Sequence, residues 1–302
     1  MRILVLMNRK KGLNIAPHGL FLAYLQNIED VYVKYYGPHT KGVTGLNIIP
    51  YDRKNPTSVL ELENEHEPDI VILYRAGRKD LRWLDLDAIR QLRAIKVIID
   101  TDFMNIKDSD KFCEVADLHL FRFPELMQYS RCEHTAALPC SFDPNIYHGS
   151  FAGRSGICYS GRMGGNETTS FQIRHKAKRL LQADIPSKYL TLKQQADYYR
   201  QHLAALTCST TYKSLGAKHF EIPATGAVLF TNGGNRIEDY LPDGTYVKYK
   251  SDCSDVCEKW AEVQANKSHW QSQAYKALKH VHNNHTHAHR WEDFFKLINK
   301  YF

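Results

Sequence analysis

The stretch Lys218-His219-Phe220-Glu221-Ile222-Pro223-Ala224-Thr225-Gly226-Ala227-Val228-Leu229-Phe230-Thr231 reads as a helix running straight into a strand. The helix, over 217–225, carries a carboxylate and a proline and ends at Gly226, a residue that easily adopts the left-handed conformation closing a helix. The apolar run 228–231 follows at once. Short, unbroken apolar runs of this kind are strands buried on both faces, which is the habit of parallel sheets covered by helices.

The same alternation extends outward in both directions. In the first half, strands are expected at 2–7, 30–35, 69–74, 96–100, 118–121 and 135–138, with helical spacing at 19–27, 57–66 and 85–94. In the second half, strands fall at 156–160, 188–190, 203–209 and 228–231, helices at 168–183, 192–201 and 217–225, and the tail from Asp255 is helical. Val/Ile-rich strands alternating with helices predict an α/β class with parallel sheets. Between the halves, Leu138-Pro139-Cys140-Ser141-Phe142-Asp143-Pro144-Asn145 and the glycines from Gly149 to Gly156 have linker chemistry. The expected organisation is a Rossmann-like domain over 1–145, a second over 146–283, and a terminal helix, 284–302, crossing back to the first.

With 302 residues the chain has room for two domains. Its 43% hydrophobic and 24% charged content excludes disordered, collagen-like and disulfide-framework classes. A net charge of +7 suits phosphate-rich ligands or acidic surfaces without proving nucleic-acid binding. The apolar runs fall far short of the ~20 residues that span a bilayer. The first of them stops at Asn8-Arg9-Lys10-Lys11, short of a signal-peptide core. Seven cysteines without metal-type spacing are expected as reduced thiols of a cytoplasmic protein.

Open parallel sheets bind ligands beyond the carboxyl ends of their strands. Two such ends stand out: Ser160-Gly161-Arg162-Met163-Gly164-Gly165 and Thr210-Thr211-Tyr212-Lys213-Ser214-Leu215-Gly216. Glycines let the backbone approach an anion, and Arg162 can pair with phosphate oxygens, although such turns also serve as plain connections. The second stretch opens the 217–225 helix, whose amides can seat a phosphate flanked by Lys213 and Lys218. Glu221, one turn further along and between Phe220 and Ile222, can accept hydrogen bonds from two ribose hydroxyls; the plain alternative is a solvated helix residue.

The segment resembles the "fEipAcG" signature of GT-B glycosyltransferases, most closely the spore-maturation-protein-like or glycosyl transferase family 1 group. The resemblance continues through Asp239-Tyr240-Leu241-Pro242-Asp243-Gly244-Thr245-Tyr246-Val247 and closes at His285-Thr286-His287-Ala288-His289-Arg290-Trp291, like the family's "HTy.hR". Leu138 to Asp143 looks like the family's hinge. The resemblance implies two Rossmann-like domains facing across a cleft, with an acceptor-binding first half and a second half that takes a nucleotide-sugar. It places Glu221 at the ribose and Gly161, Arg162, Lys213, Ser214, Gly216 and Lys218 at the diphosphate. Larger retaining relatives carry a second glutamate eight positions before the ribose one. Here that position is Lys213, which leaves inversion and retention both open. The short interval between the 168–183 helix and the strand at 203 implies that one strand of the second domain is abbreviated.

The function expected is transfer of a sugar from a nucleoside-diphosphate donor, UDP among the candidates, to an unidentified acceptor. No bound cofactor and no obligatory metal are expected, because helix amides and cations neutralise the leaving diphosphate. His18 or Asp102 would deprotonate the acceptor of an inverting enzyme; a solvated helix-start histidine and a turn-capping aspartate are the alternatives. Lys10, Lys11 and Arg75 are candidate acceptor contacts at the same edge. Arg9, Lys10, Lys11, Lys34, Lys41, Arg53 and Lys54, interleaved with Tyr32, Tyr35, Tyr36 and Tyr51, keep nucleic acid among the candidate acceptors. Histidines 280, 282, 285, 287 and 289 lack soft or charged neighbours and are taken as structural. A nucleotide-sugar epimerase or hydrolase of the same fold and a non-enzymatic nucleotide- or nucleic-acid-binding module are the competing readings.

Overall fold

The computed structural model describes residues 1–8, 17–38, 46–75, 82–101, 112–150, 153–161, 169–210 and 212–302. Of residues 17–19 and 169 the backbone alone is described. The chain forms two compact units, Met1–Pro139 with Arg290–Phe302, and Cys140–His289.

In the first unit a six-stranded sheet runs in the order β2-β1-β3-β4-β5-β6. Its strands are β1 (Arg2–Met7), β2 (Tyr32–Tyr36), β3 (Ile70–Arg75), β4 (Ile95–Asp100), β5 (Leu118–Phe121) and β6 (Thr135–Ala137). Every pair is parallel, with Ile3 between Val33 and Ile70. Strand order reverses at β1, so the carboxyl ends of β1 and β3 flank the switch point. Alternate residues divide between two cores. Ile3, Val5, Ile70 and Ile72 face one layer, and Leu4, Leu6, Val71 and Leu73 face the other, as a strand covered on both sides requires. Helices α1 (Pro17–Ala23), α2 (Val59–His66) and α3 (Leu86–Arg90) lie between the strands. The sequence places α2 from residue 57, but Ser58 is its cap: its hydroxyl accepts from Glu61 N, and the Glu61 carboxylate accepts from Ser58 N.

The second unit holds a four-stranded parallel sheet ordered β10-β9-β8-β7. Along the chain these are β7 (Ser155–Cys158), helix α4 (Thr169–Leu180), α5 (Leu192–Gln201), β8 (His202–Leu206), α6 (Lys218–Ala224), β9 (Val228–Thr231) and β10 (Tyr246–Lys248). Helices α7 (Val256–Ala265) and α8 (Lys267–Asn284) follow, and α9 (His287–Tyr301) begins in this unit and ends in the first. The expected strand at 188–190 is absent; the abbreviated strand is a single bridge between Cys158 and Asp184. β10 was not expected, being three residues long with no apolar run of its own.

α9 places Trp291, Phe294 and Ile298 in the core of the first unit. Trp291 stacks on Phe21 at 4.4 Å and donates from its indole nitrogen to the Phe21 carbonyl at 2.8 Å. Arg290 donates to the Pro139 carbonyl at 3.2 Å, tying the start of this segment to the end of the unit's first.

The cysteine expectation needs correction. Cys113 and Cys132 form a disulfide, while Cys140, Cys158, Cys208 and Cys253 are buried free thiols and Cys257 is an exposed one. Among the described residues, no helix is long and apolar enough to cross a membrane.

Candidate active site

The carboxyl end of the second unit's sheet is assembled from the segments after β7, β8 and β9. After β8, Thr210 and Ser214 close a tight turn: Thr210 N donates to Ser214 O at 3.0 Å, and Ser214 N donates to Thr210 Oγ1 at 3.1 Å. Lys213 takes φ 58° inside the turn, its side chain exposed. The turn leans on the segment after β9, where Asn235 N donates to Lys213 O at 2.7 Å. A Cβ at Gly234 would stand 2.6 Å from that same carbonyl oxygen, so the approach needs glycine. Gly216 differs: a Cβ there would meet nothing within 4 Å.

α6 then starts, its first amides already committed. His219 N donates to Gly216 O at 3.0 Å, and Phe220 and Glu221 donate to Ala217 O at 2.9 Å. The amides available to an anion are therefore those ahead of His219. The His219 ring holds this arrangement: Nδ1 lies 3.3 Å from Gly216 O, and Nε2 lies 3.1 Å from Thr231 Oγ1. Burial lowers its pKa to about 4, so the ring is neutral, with Nδ1–H donating to Gly216 and the Thr231 hydroxyl donating to Nε2. His219 escapes sequence reasoning because a histidine beside Lys218 looks like surface.

Glu221 is 2% exposed, and its Oε1 has no hydrogen-bond partner. Burial raises its pKa, against the opposing pull of the Lys218 ammonium and the Tyr147 hydroxyl. Lys218 Nζ donates to Tyr199 Oη at 3.0 Å and to Ser160 O at 3.1 Å, and burial brings its pKa down to about 8. The Ser160 hydroxyl lies 2.6 Å from Tyr199 Oη and accepts from Gln195 Nε2 at 2.8 Å; Gln195 Oε1 in turn accepts from Tyr147 Oη at 2.9 Å. Tyr147, Ser160, Gln195, Tyr199, Lys218 and Glu221 thus form one polar cluster beneath the strand ends. An orphaned carboxylate oxygen beside a buried lysine whose pKa is lowered by desolvation marks a site built to receive a ligand.

Two further groups border the cluster. Gly161 follows Ser160, where a Cβ would fall 1.9 Å from the Tyr159 hydroxyl, so only glycine lets the chain turn there. Arg174 of α4 donates from Nε to Cys208 Sγ at 3.2 Å and lies over the rings of Phe171 at 4.9 Å and Tyr159 at 5.9 Å. It is a cation at the ends of β7 and β8, missed in the sequence because nothing in the spacing of α4 distinguishes it from Lys176 or Lys178.

The structure therefore brings Gly161, Ser214, Gly216, Lys218 and Glu221 to one end of one sheet, with Lys213 on the exposed side of the same turn. Arg162 lies outside the described residues, as do Lys10, Lys11 and Asp102. Of His18, only its place in α1 is described. Arg75 differs from expectation. It is 2% exposed, paired through Nη1 with Asp100 Oδ2 at 3.3 Å and lying over the Phe112 ring at 4.8 Å, so its guanidinium is committed inside the unit rather than offered to an acceptor.

The tyrosines expected to interleave with basic residues are mostly core. Tyr35 and Tyr36 are fully buried, donating to the carbonyls of Leu22 and Thr57, and Tyr51 packs on Trp83. Of these four, Tyr32 alone is well exposed, so among the described residues the other three are not offered for stacking on bases. Four of the five late histidines hydrogen-bond within the fold: His282 meets Ala224 O, His285 meets Tyr240 O, His287 meets Ser141 Oγ and His289 meets Thr286 Oγ1, while the His280 ring packs on His285 at 5.4 Å.

Residues 175–296 match the family model described as glycosyl transferase-like. Most of the second unit, and the first turns of α9 beyond it, lie within that match. Every described donor-site candidate except Gly161 falls inside that match. The chain as a whole has the GT-B fold of known glycosyltransferases. Sucrose-phosphate synthase from Thermosynechococcus elongatus is 10% identical, with 99% of this chain and 98% of that chain covered at a TM-score of 0.71. HepE from Anabaena, in complex with UDP-glucose, is 11% identical, with 99% of this chain and all of that chain covered, also at 0.71. A glycosyltransferase from Rickettsia africae is 11% identical over 99% of this chain and 98% of that chain, at 0.64. No curated protein sequence matches at a significant level. His285 and Arg290 also lie in the match, and both hold backbone carbonyls, of Tyr240 and Pro139 respectively.

Proposed function

We propose that the protein transfers a glycosyl group from a UDP-sugar to a hydroxyl-bearing acceptor, with the donor held by the second unit and the acceptor by the first. The observation that carries this reading is Glu221: a buried carboxylate with an unpartnered oxygen, one turn into α6, in a glycosyl transferase-like domain. Two ribose hydroxyls donating to it would satisfy that oxygen and replace the solvation lost on burial. The diphosphate would then lie toward Ser214, Gly216 and the amides ahead of His219, with Lys218 and Arg174 as the nearby cations and Arg162 and Lys213 from the flanking turns.

Chemistry at the donor is electrostatic. As the bond from the sugar to the diphosphate breaks, negative charge grows on the leaving oxygens, and fixed cations and amides stabilise it more in the transition state than in the ground state. An inverting course needs His18 or Asp102 to take the acceptor proton; a retaining course needs no such base. UDP-glucose in the HepE complex supports the choice of uridine among donors.

A donor-by-acceptor screen read by mass spectrometry tests the proposal. A new glycosylated product with UDP released in equal amount is the expected result. A donor returned as its epimer, or free sugar with no acceptor product in any combination, would replace transfer with epimerisation or hydrolysis.

A further inference from the structure

In the first unit, three side chains that the transferase reading does not use meet at one point. Cys113 precedes β5, His119 is its second residue, and Cys132 lies ahead of β6. Their candidate ligand atoms all fall within 4.8 Å of one another. His119 Nδ1 stands 3.6 Å from Cys113 Sγ and 3.3 Å from Cys132 Sγ, with Ser130 Oγ at 3.2 Å. Two zinc-bound atoms, at about 2.3 Å for sulfur and about 2.0–2.1 Å for nitrogen in a tetrahedron, would be separated by about 3.6 Å.

The histidine is also prepared as a ligand. Its Nε2 lies 2.7 Å from Asp100 Oδ2, and that oxygen is also 3.3 Å from Arg75 Nη1. Nε2–H donates to the Asp100 carboxylate, which leaves Nδ1 as the nitrogen beside Ser130 Oγ and the two sulfurs. Carboxylate, imidazole and metal in that order is how metal-binding histidines are oriented. His119 is fully buried and Asp100 is 3% exposed, so neither group is placed to serve solvent.

We infer that, when its two thiols are reduced, the cluster Cys113–His119–Cys132 is a zinc site. Two thiolates and one imidazole favour this borderline-soft ion over magnesium or calcium, and the fourth position faces the Ser130 hydroxyl. The disulfide joining Cys113 and Cys132 is the closed, metal-free form of the same pair. A thiol or phosphine reductant supplies two electrons, the sulfur–sulfur bond breaks, and two protons complete the thiols. Binding of Zn2+ then releases those two protons as both thiolates ligate. The metal sits between β5 and the segment leading to β6, and acts as a redox-governed clasp on this edge of the first unit's sheet.

The test uses the full chain, reduced with a phosphine, freed of reductant without air and titrated with Co2+ and then Zn2+. The expected result is one metal per chain, a thiolate-to-cobalt charge-transfer band and tetrahedral visible bands, all lost on displacement by Zn2+. The air-oxidised protein should give none of these. Asp100→Asn should keep the spectrum and weaken Zn2+ binding about 10- to 100-fold. The double variant C113S/C132S should lose the band, which excludes Cys257 and the buried thiols as its source. If the double variant does not fold, the wild-type comparison of reduced with oxidised protein decides alone. A reduced, folded wild type with no cobalt band, or a band that survives oxidation or the double substitution, would overturn the assignment.

Discussion

The Lys218 ammonium stands 3.0 Å from the Tyr199 hydroxyl, in a pocket of polar side chains that holds its pKa near 8 through burial. That depression has a sign. A lysine whose folded pKa lies below its unfolded value of about 10.4 destabilises the fold while it is charged, so stability rises with pH from about 8 to about 10.4. A bound diphosphate reverses the effect by favouring the charged form. UDP should therefore bind with proton uptake near pH 8, and more weakly above it. Calorimetry in two buffers of different ionisation enthalpy reads that uptake, and Lys218→Met should abolish it.

Glu221 couples function to stability. Glu221→Ala should weaken UDP binding about 10- to 150-fold, corresponding to a loss of about 1.5–3 kcal/mol from charge-assisted hydrogen bonds. Glu221→Gln should fall between the two. Because burial raises the carboxyl pKa, the ionised side chain costs the empty protein stability as pH climbs above its ordinary range. The glutamine variant should thus melt at or above the wild-type temperature while binding less. Unchanged UDP affinity in a folded Glu221→Ala protein would remove the donor site from α6.

Two glycines on neighbouring segments should behave in opposite ways. Gly216→Ala adds a methyl into open space, so stability should stay within about 0.5 kcal/mol, yet UDP affinity should fall about tenfold if phosphate approaches there. Gly234→Ala drives a methyl into the Lys213 carbonyl and the Leu215 side chain, and should destabilise by about 1–3 kcal/mol. Melting curves beside UDP titrations separate the two. Equal stability losses would mean that the 210–216 turn is not held as described.

Trp291→Ala should cost about 3–5 kcal/mol, since it empties a stacked, fully buried position and frees the Phe21 carbonyl. Urea unfolding followed by circular dichroism measures the loss. A shift under about 1 kcal/mol would show that α9 contributes little to the first core.

Much of this was legible in the sequence because buried parallel strands are written in the residues themselves. β1, β5 and β9 match their expected bounds, and α5 does so because Thr191 and Gln194 form a capping box at its start. Glu221 was visible because its neighbours are apolar and a strand follows. Elements set by contact rather than pattern were not visible. β10 is a strand only because β9 lies beside it. Arg174 and His219 matter through what they touch, and Arg75 loses its expected role to Asp100, a residue 25 positions away. The Cys113–Cys132 pair was hidden by a separation of 19 residues that follows no metal or redox motif.

The first unit is interrupted in the chain: residues Arg290–Phe302 complete a core begun by residues Met1–Pro139. During synthesis, a ribosome makes the whole second unit before it makes Trp291. The amino-terminal sheet must therefore wait, with the face around Phe21 uncovered, until residues 290–302 have been made. The second unit, being continuous, is free to fold as it emerges. Order of completion is thus reversed relative to order of synthesis, and a nonsense mutation near residue 290 would strike the oldest part of the polypeptide hardest.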